Sequence, residues 1–412
     1  MKILKRIRER GLHWFIETIK LKITFFLNNI LYYFFSILPI NNKKIIFESE
    51  GDLSDNSFAL YDYMLKNNYT EKYKFIWAVD DIKNARKFKF PQTVFINRKY
   101  GIFDLKRAYH LATSRYIIFD HYNILSNVKK RRNQIVLNLW HGVGYKAIKN
   151  GKKVKEKSTF DFFDTLSDKL SLEFLKDFLE CDPSKGVVLG YPRLDYFFRD
   201  NLEGKKFVKS LVGDKNKVLL WMPTFRQSIN PELSEEYDYS ETGLPIVYTA
   251  DAMIKLNDYL IKENTTIILK IHHLQAKLPI FKKEFSNIIL MSDDDLRDNN
   301  VQLYQFISQM DGLITDYSSI AIDYLLLGRP IIFTLDDYEE YEKHRGFYKK
   351  DIKKYMPGEQ VYNYDEFLIA IKNIIDNKDL YKEDRTKILP LYHKFKDGES
   401  SSRVLKFLKI ER

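Results

Sequence analysis

The stretch LITDYSSIAIDYLLLGRPIIF, Leu313 to Phe333, sets a strand, a hydroxyl-rich turn and a helix start in immediate succession. Leu313–Thr315 is a short apolar run with polar neighbours, the pattern of a buried strand. Ser318 or Ser319 is placed to cap a helix running to about Gly328. Pro330 then opens a second strand-like run, Ile331 to Phe333. Where a strand gives way to a helix, backbone N–H groups point outward without partners and suit an anion. The serines therefore allow two readings, a helix cap alone or part of an anion site.

The same alternation extends through the chain. KKIIFES (43–49), YKFIWAV (73–79), TVFIN (93–97), RYIIFD (115–120) and IVLNLW (135–140) form a first set of strand-like runs. Helical patterns such as FALYDYMLKN (58–67) and LKRAYHLATS (105–114) lie between them. VLLWMPT (218–224), TIILKIH (266–272), NIILM (287–291), GLITD (312–316) and PIIFT (330–334) form a second set, separated by helical patterns near 249–262, 301–310 and 319–327. Strands alternating with helices predict α/β architecture with parallel sheets. Two such sets predict two doubly wound, Rossmann-like domains facing a cleft. Residues 41–205 make the first and 206–385 the second, with the joint in the charged segment FRDNLEGKKFVKSLVGDKNK. Residues 386–412 are expected as helices packing back across both. Ligands in such sheets bind beyond the carboxyl ends of the strands, so the cleft is the expected active site.

Composition narrows the classes. The single cysteine among 412 residues, Cys181, rules out an internal disulfide and a Cys-based zinc cluster, and fits a reducing compartment. A net charge of +11 favours nucleic acid, anionic lipid or a phosphorylated substrate without choosing among them. Residues 1–40 stand apart. Lys2, Lys5, Arg6, Arg8, Arg10, Lys20 and Lys22 outnumber Glu9 and Glu17, and ITFFLNNILYYFFSILPI (23–40) is rich in aromatics. Asn28, Asn29 and Pro39 break that run, which fits a helix lying in an anionic membrane surface better than a spanning one. The other reading packs it on the protein's own core. No secretory cleavage site is evident.

Polar residues recur where the strands end. NLWHGVGYKAIKN (138–150) puts His141 and Gly142 directly after an apolar run, with Lys146 and Lys149 close behind. A neutral imidazole there suits a general base, and glycine lets the backbone approach a ligand; a structural histidine in a turn is the alternative. In GYPRLDYF (190–197), Arg193 or Asp195 faces the cleft, or the two pair as a clamp. In WMPTFRQ (221–227), the fork of Arg226 suits two phosphate oxygens. In ILKIHHLQ (268–275), Lys270 and His272 share one face of a strand end and suit a phosphate. His272 and His273 are expected on opposite sides, which disfavours joint metal binding. Asp316 ends a strand, Ser318 and Ser319 suit a phosphate, and the Asp323 carboxylate suits a sugar or polyol hydroxyl. Asp293, Asp294 and Asp295 read as a solvated run in a loop. Several anion-binding groups at different strand ends suggest a diphosphate donor. P-loop and dinucleotide glycine motifs are missing. A transfer without metal or cofactor follows, with cationic and backbone groups stabilising the leaving group.

These residues resemble the CDP-glycerol glycerophosphotransferases of teichoic-acid and related polymer synthesis, from KKIIFES to the C-terminus. The pieces that carry the likeness are SRYIIFDHY (114–122), LWHGVGYKAI (139–148), GYPRLD (190–195), MPTFR (222–226), LKIHH (269–273), DGLITDYSSIAIDYLLLGRPIIF (311–333), EEYEKHRGFY (339–348) and YHKFKDGESSSRVL (392–405). The resemblance implies a GT-B-like fold, with acceptor groups on the first domain and the nucleotide donor on the second. It implies transfer of an alditol phosphate from a CDP-linked donor with release of CMP. His141 would be the base, and His272 would meet the donor phosphates. Arg226, Ser318 and Ser319 would surround the diphosphate; Asp316 and Asp323 would lie near the glycerol or nucleotide, with Gly142 and Lys270 completing the substrate contacts. Arg329 matches an Arg-Pro pair. Val143, Gly144, Tyr145 and Lys146 replace the family's usual Thr-Pro-Leu-Lys, which bears on the acceptor. His273 replaces a proline, Phe225 a tryptophan and Ile322 a phenylalanine.

The implied partners are a CDP-alditol and a saccharide on a polyprenyl diphosphate lipid, glycerol and ribitol remaining open. Residues 1–40 would then hold a peripheral enzyme at the cytoplasmic face of the cell membrane. Two other readings are a GT-B glycosyltransferase using a nucleotide sugar and a nucleic-acid-binding protein. Lys and Arg spread along the whole chain argue against nucleic acid.

Overall fold

The computed structural model describes residues 2–121, 124–125, 128–147, 160–179, 181–226 and 240–412, with side chains from residue 11 onward. Lys149 and the side chains of Lys2, Lys5, Arg6, Arg8 and Arg10 lie outside what is described.

Two all-parallel sheets organise the chain. The first holds β1 (Asn41–Glu48), β2 (Lys74–Val79), β3 (Thr93–Asn97), β4 (Ser114–Phe119), β5 (Ile135–Asn138), β6 (Phe162–Thr165) and β7 (Gly186–Val188), in the order β3-β2-β1-β4-β5-β6-β7. The second holds β8 (Lys217–Met222), β9 (Thr265–Leu269), β10 (Ile288–Leu290), β11 (Gly312–Thr315), β12 (Ile331–Thr334) and β13 (Glu359–Val361), in the order β10-β9-β8-β11-β12-β13. The central strands are apolar on both faces because helices cover both; the last five residues of β1 and all of β9 are buried. Strand order reverses between β1 and β4 and again between β8 and β11. Chain leaving those pairs diverges to opposite faces and opens a crevice at the carboxyl ends. The segments after β1, β4, β8 and β11 therefore line the two crevices, and DYSS is one of them.

Three strands have no counterpart in the sequence reading. β6, β7 and β13 are three or four residues long, and β6 carries the buried Asp164, so apolar periodicity is too weak to mark them. The charged segment expected as the joint contains a helix, Leu202–Val212, that buries Phe207, Val208 and Val212. Its Gly204 lies where a Cβ would stand 2.5 Å from the Gln305 carbonyl, so the helix belongs with the second sheet's helices. At the C-terminus, Val404, Leu405, Leu408 and Ile410 enter the core built on β1 and β2, while the His393 ring bonds the Ile322 carbonyl at 2.8 Å.

The N-terminal helix, Lys2–Phe35, is broken at Gly11, whose φ is +83°. One face of it docks on the protein. Asn28 is buried and its amide donates to the Tyr100 and Ile102 carbonyls at 2.9 and 3.1 Å. The Tyr32 hydroxyl donates to the Lys129 carbonyl at 3.0 Å, and Phe25 stacks on Tyr100. The other face leaves Phe26 65% exposed and Phe34 62% exposed. Asn28, read above as an interruption of an apolar run, is the residue that anchors the helix. Among the described residues no helix is long and apolar enough to cross a membrane.

Candidate active site

β5 ends at Asn138 and the chain turns sharply. Trp140 sits in the left-handed region at φ +57°, and Gly142 follows at φ +140°. A tryptophan holds such a conformation only where its surroundings enforce it. Its N–H donates to Asn138 Oδ1 at 2.8 Å, its indole N–H to the Gly142 carbonyl at 2.6 Å, and its carbonyl accepts from Asn56 Nδ2 at 2.7 Å. The turn presents His141 between two rings, stacked on Trp140 at 4.2 Å and on His121 at 4.1 Å. His141 Nδ1 lies 2.9 Å from the Asp120 carbonyl, which can only accept. The proton therefore sits on Nδ1, and the Nε2 lone pair is left for a substrate proton. Burial, helped by the His121 charge, lowers the His141 imidazole to about 4, so it is neutral at physiological pH.

His121 has the opposite electrostatics. Its Nδ1 lies 2.8 Å from Asp120 Oδ1 and its Nε2 3.3 Å from Glu50 Oε2. Burial pushes the ring down, but Asp120, Asp55 and Glu50 outweigh it and hold it above its ordinary value. Burial in turn lifts the Asp120 carboxyl to about 6, against the hydrogen bond from His121. The sequence reading passed over Asp120 and His121. The signal was available: FDHY follows a strand-like run just as WHG does.

Across the crevice stands the DYSS turn. A Cβ on Gly142 would lie 3.0 Å from Ser319 Oγ and 3.4 Å from Arg193 Nη2, so His141 and the serine turn are brought together. The following helix, Ile320–Tyr324, continues as a 3-10 turn to Leu327 and ends at Gly328 with φ +65°. Neither serine caps it; Ser319 has helical φ and ψ and makes no side-chain cap bond. Both serines are half-buried.

Several expectations are corrected here. Arg193 pairs not with Asp195 but with Asp55 and Asp323, each at 2.6 Å, and packs over the Tyr304 ring at 4.7 Å. Asp195 instead accepts from the backbone N–H of Ser400 and Ser401 at the start of the C-terminal helix. Asp323, expected at a polyol hydroxyl, is fully buried and joins Arg193 to the Tyr304 hydroxyl. Asp316 accepts from the Thr224 N–H and hydroxyl and pairs with Arg226 at 2.9 Å. Arg226 also binds Asp337 at 2.8 Å and packs over Tyr317 and Tyr341, so its charge is matched by two carboxylates and it ties Thr224–Arg226 to the turns after β11 and β12. Arg329 donates to the Ser308 and Met310 carbonyls, a structural role.

The β9 end also differs. The strand stops at Leu269, so Lys270 and His272 lie in the loop and strand alternation no longer applies. The His272 and His273 rings lie 4.2 Å apart, not on opposite sides, and His272 also meets Phe225 at 4.8 Å. Burial lowers the exposed His272 ring. Its Nδ1 accepts from the Leu274 N–H, leaving Nε2–H as the donor in the neutral ring. Lys270 pairs with Asp293 at 2.8 Å. Asp293–Asp298 is a short helix rather than a loop, capped reciprocally by Ser292 and Asp295. Val143 and Tyr145, in the loop expected near the acceptor, are fully buried. The segment they belong to is held by the Lys146–Phe347 bridge and the Tyr348 N–H bond to the Tyr145 carbonyl. Among the described residues no group of three His, Cys, Asp or Glu side chains could hold a metal ion.

The chain is 25% identical over 401 residues to a teichoic acid glycerol-phosphate primase of Bacillus subtilis, covering 93% of this chain and 96% of the relative. It is 28% identical over 408 residues to a teichoic acid poly(ribitol-phosphate) polymerase of Bacillus spizizenii, covering 92% of this chain but 59% of that longer protein. Among solved structures, a variant of the wall teichoic acid polymerase TagF shares the fold with a TM-score of 0.74 at 20% identity, covering 97% of each chain. The CDP-glycerol:poly(glycerophosphate) glycerophosphotransferase family matches residues 30–409, and the chain belongs to that family.

Proposed function

We propose that this enzyme transfers glycerol phosphate from CDP-glycerol to a hydroxyl of a polyprenyl-diphosphate-linked saccharide or growing polymer and releases CMP. The observation that carries the reading is His141. It is neutral, fixed by the Asp120 carbonyl in the tautomer that accepts at Nε2, and set against the DYSS turn. The acceptor oxygen attacks the phosphorus that carries glycerol, and its proton passes to His141 Nε2. A new P–O bond forms as the bond to the CMP phosphate breaks, and CMP leaves with the electron pair. His272, Lys270, Ser318 and Ser319 stabilise the charge gathering on the leaving group. Arg226 and Asp316 act as positioning residues that hold the loops after β8 and β11. A TagF structure soaked with CDPG shares this fold and supports the donor class.

CDP-ribitol remains a second donor because relatives of both kinds match the chain to a similar degree. We place residues 1–40 at the inner leaflet, the exposed Phe26, Phe34 and Ile37 entering the interface. A screen with CDP-glycerol, CDP-ribitol and a UDP-sugar, each with a lipid-linked disaccharide, tests the reading. CMP release from one CDP-alditol is expected; turnover of the nucleotide sugar alone would overturn it.

A further inference from the structure

A cavity of ≈ 450 Å³ lies between the segment after β1, the turn after β4 and the second-sheet residues 293–304. Neither the family match nor the sequence pattern assigns it. Its position ties it to the chemistry. His121 lines it and stacks on His141 at 4.1 Å, while Asp293, on the opposite wall, pairs with Lys270. The cavity therefore adjoins the His141 base through His121 and the Lys270 ammonium through Asp293.

The lining is aromatic and acidic. Phe88 and Phe90 stack at 5.6 Å with their planes 4° apart, and Phe58 meets Phe90 at 6.2 Å. Five lining carboxylates, Glu50, Asp52, Asp55, Asp81 and Asp293, outnumber Arg193, Arg297 and the His121 ring. Arg193 is engaged by Asp55 and Asp323, Arg297 by Asp294 at 2.8 Å and His121 by Asp120 and Glu50, while Asp293 pairs with Lys270 and Asp52 lies 3.7 Å from Arg98; counting both sides of these pairs, carboxylates remain in excess around the cavity. Aromatic faces take the C–H faces of a sugar ring, and carboxylates accept from its hydroxyls; a phosphodiester there would meet like charge in a partly desolvated space. The volume suits one or two sugar rings.

Resting on the transferase reading above, we propose that this cavity seats the neutral glycosyl end of the acceptor and discriminates against an end that already carries a phosphodiester. The enzyme then adds a first alditol phosphate to a sugar rather than extending a polyanion.

The test is calorimetric binding to the full chain of two soluble probes. One is a disaccharide on a short prenyl diphosphate; the other is the same molecule with glycerol phosphate on its terminal sugar. Both carry the same diphosphate, so the difference isolates the terminal charge. At low salt the neutral-ended probe is expected to bind at least about tenfold tighter, with the gap shrinking as salt screens the repulsion. Phe88→Ala, which removes the platform without touching the crevice histidines, should weaken the neutral-ended probe about tenfold. Asn84→Lys, which adds a cation to a half-buried lining position, should narrow the gap without depending on the Phe88 packing. Equal or tighter binding of the phosphate-ended probe would overturn the proposal, as would unchanged discrimination in Asn84→Lys. The two levels fail separately. Discriminating binding without CMP release from any CDP-alditol would refute the transferase reading alone. CMP release with the phosphate-ended acceptor at least as fast as with the neutral one would refute the cavity assignment alone.

Discussion

Arg193→Met tests whether the buried pairing across the crevice is structural. Arg193 joins Asp55, beside the first sheet, to Asp323, on the helix after β11. Without the guanidinium, Asp323 is a carboxylate with no exposed surface and only the Tyr304 hydroxyl as a side-chain partner. Leaving a buried charge uncompensated in this way costs about 3–5 kcal/mol. Unfolding entropy of about 2.1 cal/mol/K per residue gives roughly 0.9 kcal/mol/K for a chain of this length. The expected fall in Tm is therefore about 3–6 °C. Asp323→Asn keeps the shape and removes the charge, so adding it to Arg193→Met should recover most of the loss. Thermal unfolding by circular dichroism reads the stability, and donor KM is measured in parallel. A Tm within about 1 °C of wild type for Arg193→Met would refute the reasoning. So would Asp323→Asn with unchanged Tm and a tenfold higher KM, since that carboxylate would then be a ligand contact.

Four further outcomes are expected. Gly142→Ala places a methyl 3.0 Å from Ser319 Oγ on a backbone at φ +140°, so it should lose about 1–3 kcal/mol of stability and most activity, with partial rescue by Ser319→Gly. His141 is lowered to about 4 from 6.5, so the acid limb of kcat/KM should fall well below pH 6. In the unfolded chain His141 takes up its proton near 6.5, so its stability contribution is present above that pH and lost as pH falls toward 4; the difference between wild type and His141→Ala in urea titrations across pH 4–7 checks the sign. Phe26→Glu with Phe34→Glu should cut co-sedimentation with anionic vesicles at least about tenfold while leaving Tm within about 2 °C, because both rings face outward.

Sequence pattern and structure meet most closely where a local rule applies. Apolar runs separated by helical periods marked ten of the strands, because a strand buried on both faces has little choice of residue. His141, Gly142 and the DYSS serines were legible as strand-end residues, and the structure brings Gly142 to Ser319. What failed was long-range partner choice. Nothing local tells that Arg193 meets Asp55 and Asp323 rather than its near neighbour Asp195, or that Arg226 is held between Asp316 and Asp337. His272 and His273 escape strand alternation because the strand ends at Leu269. Two misses were readable. Ser292 and Asp295 have the spacing of a capping box, and Asp120–His121 repeats the strand-end signal of His141.

The central claim is that His141 takes the acceptor proton. The most direct measurement is CMP release from a CDP-alditol with a lipid-linked disaccharide, for wild type and His141→Ala, alongside calorimetric donor affinity. The account predicts that His141→Ala lowers kcat by about 10²–10⁴ and leaves donor affinity within about threefold, since the ring contributes a proton acceptor rather than a donor contact. A kcat within tenfold of wild type, or a collapse of donor affinity with kcat retained, would contradict it.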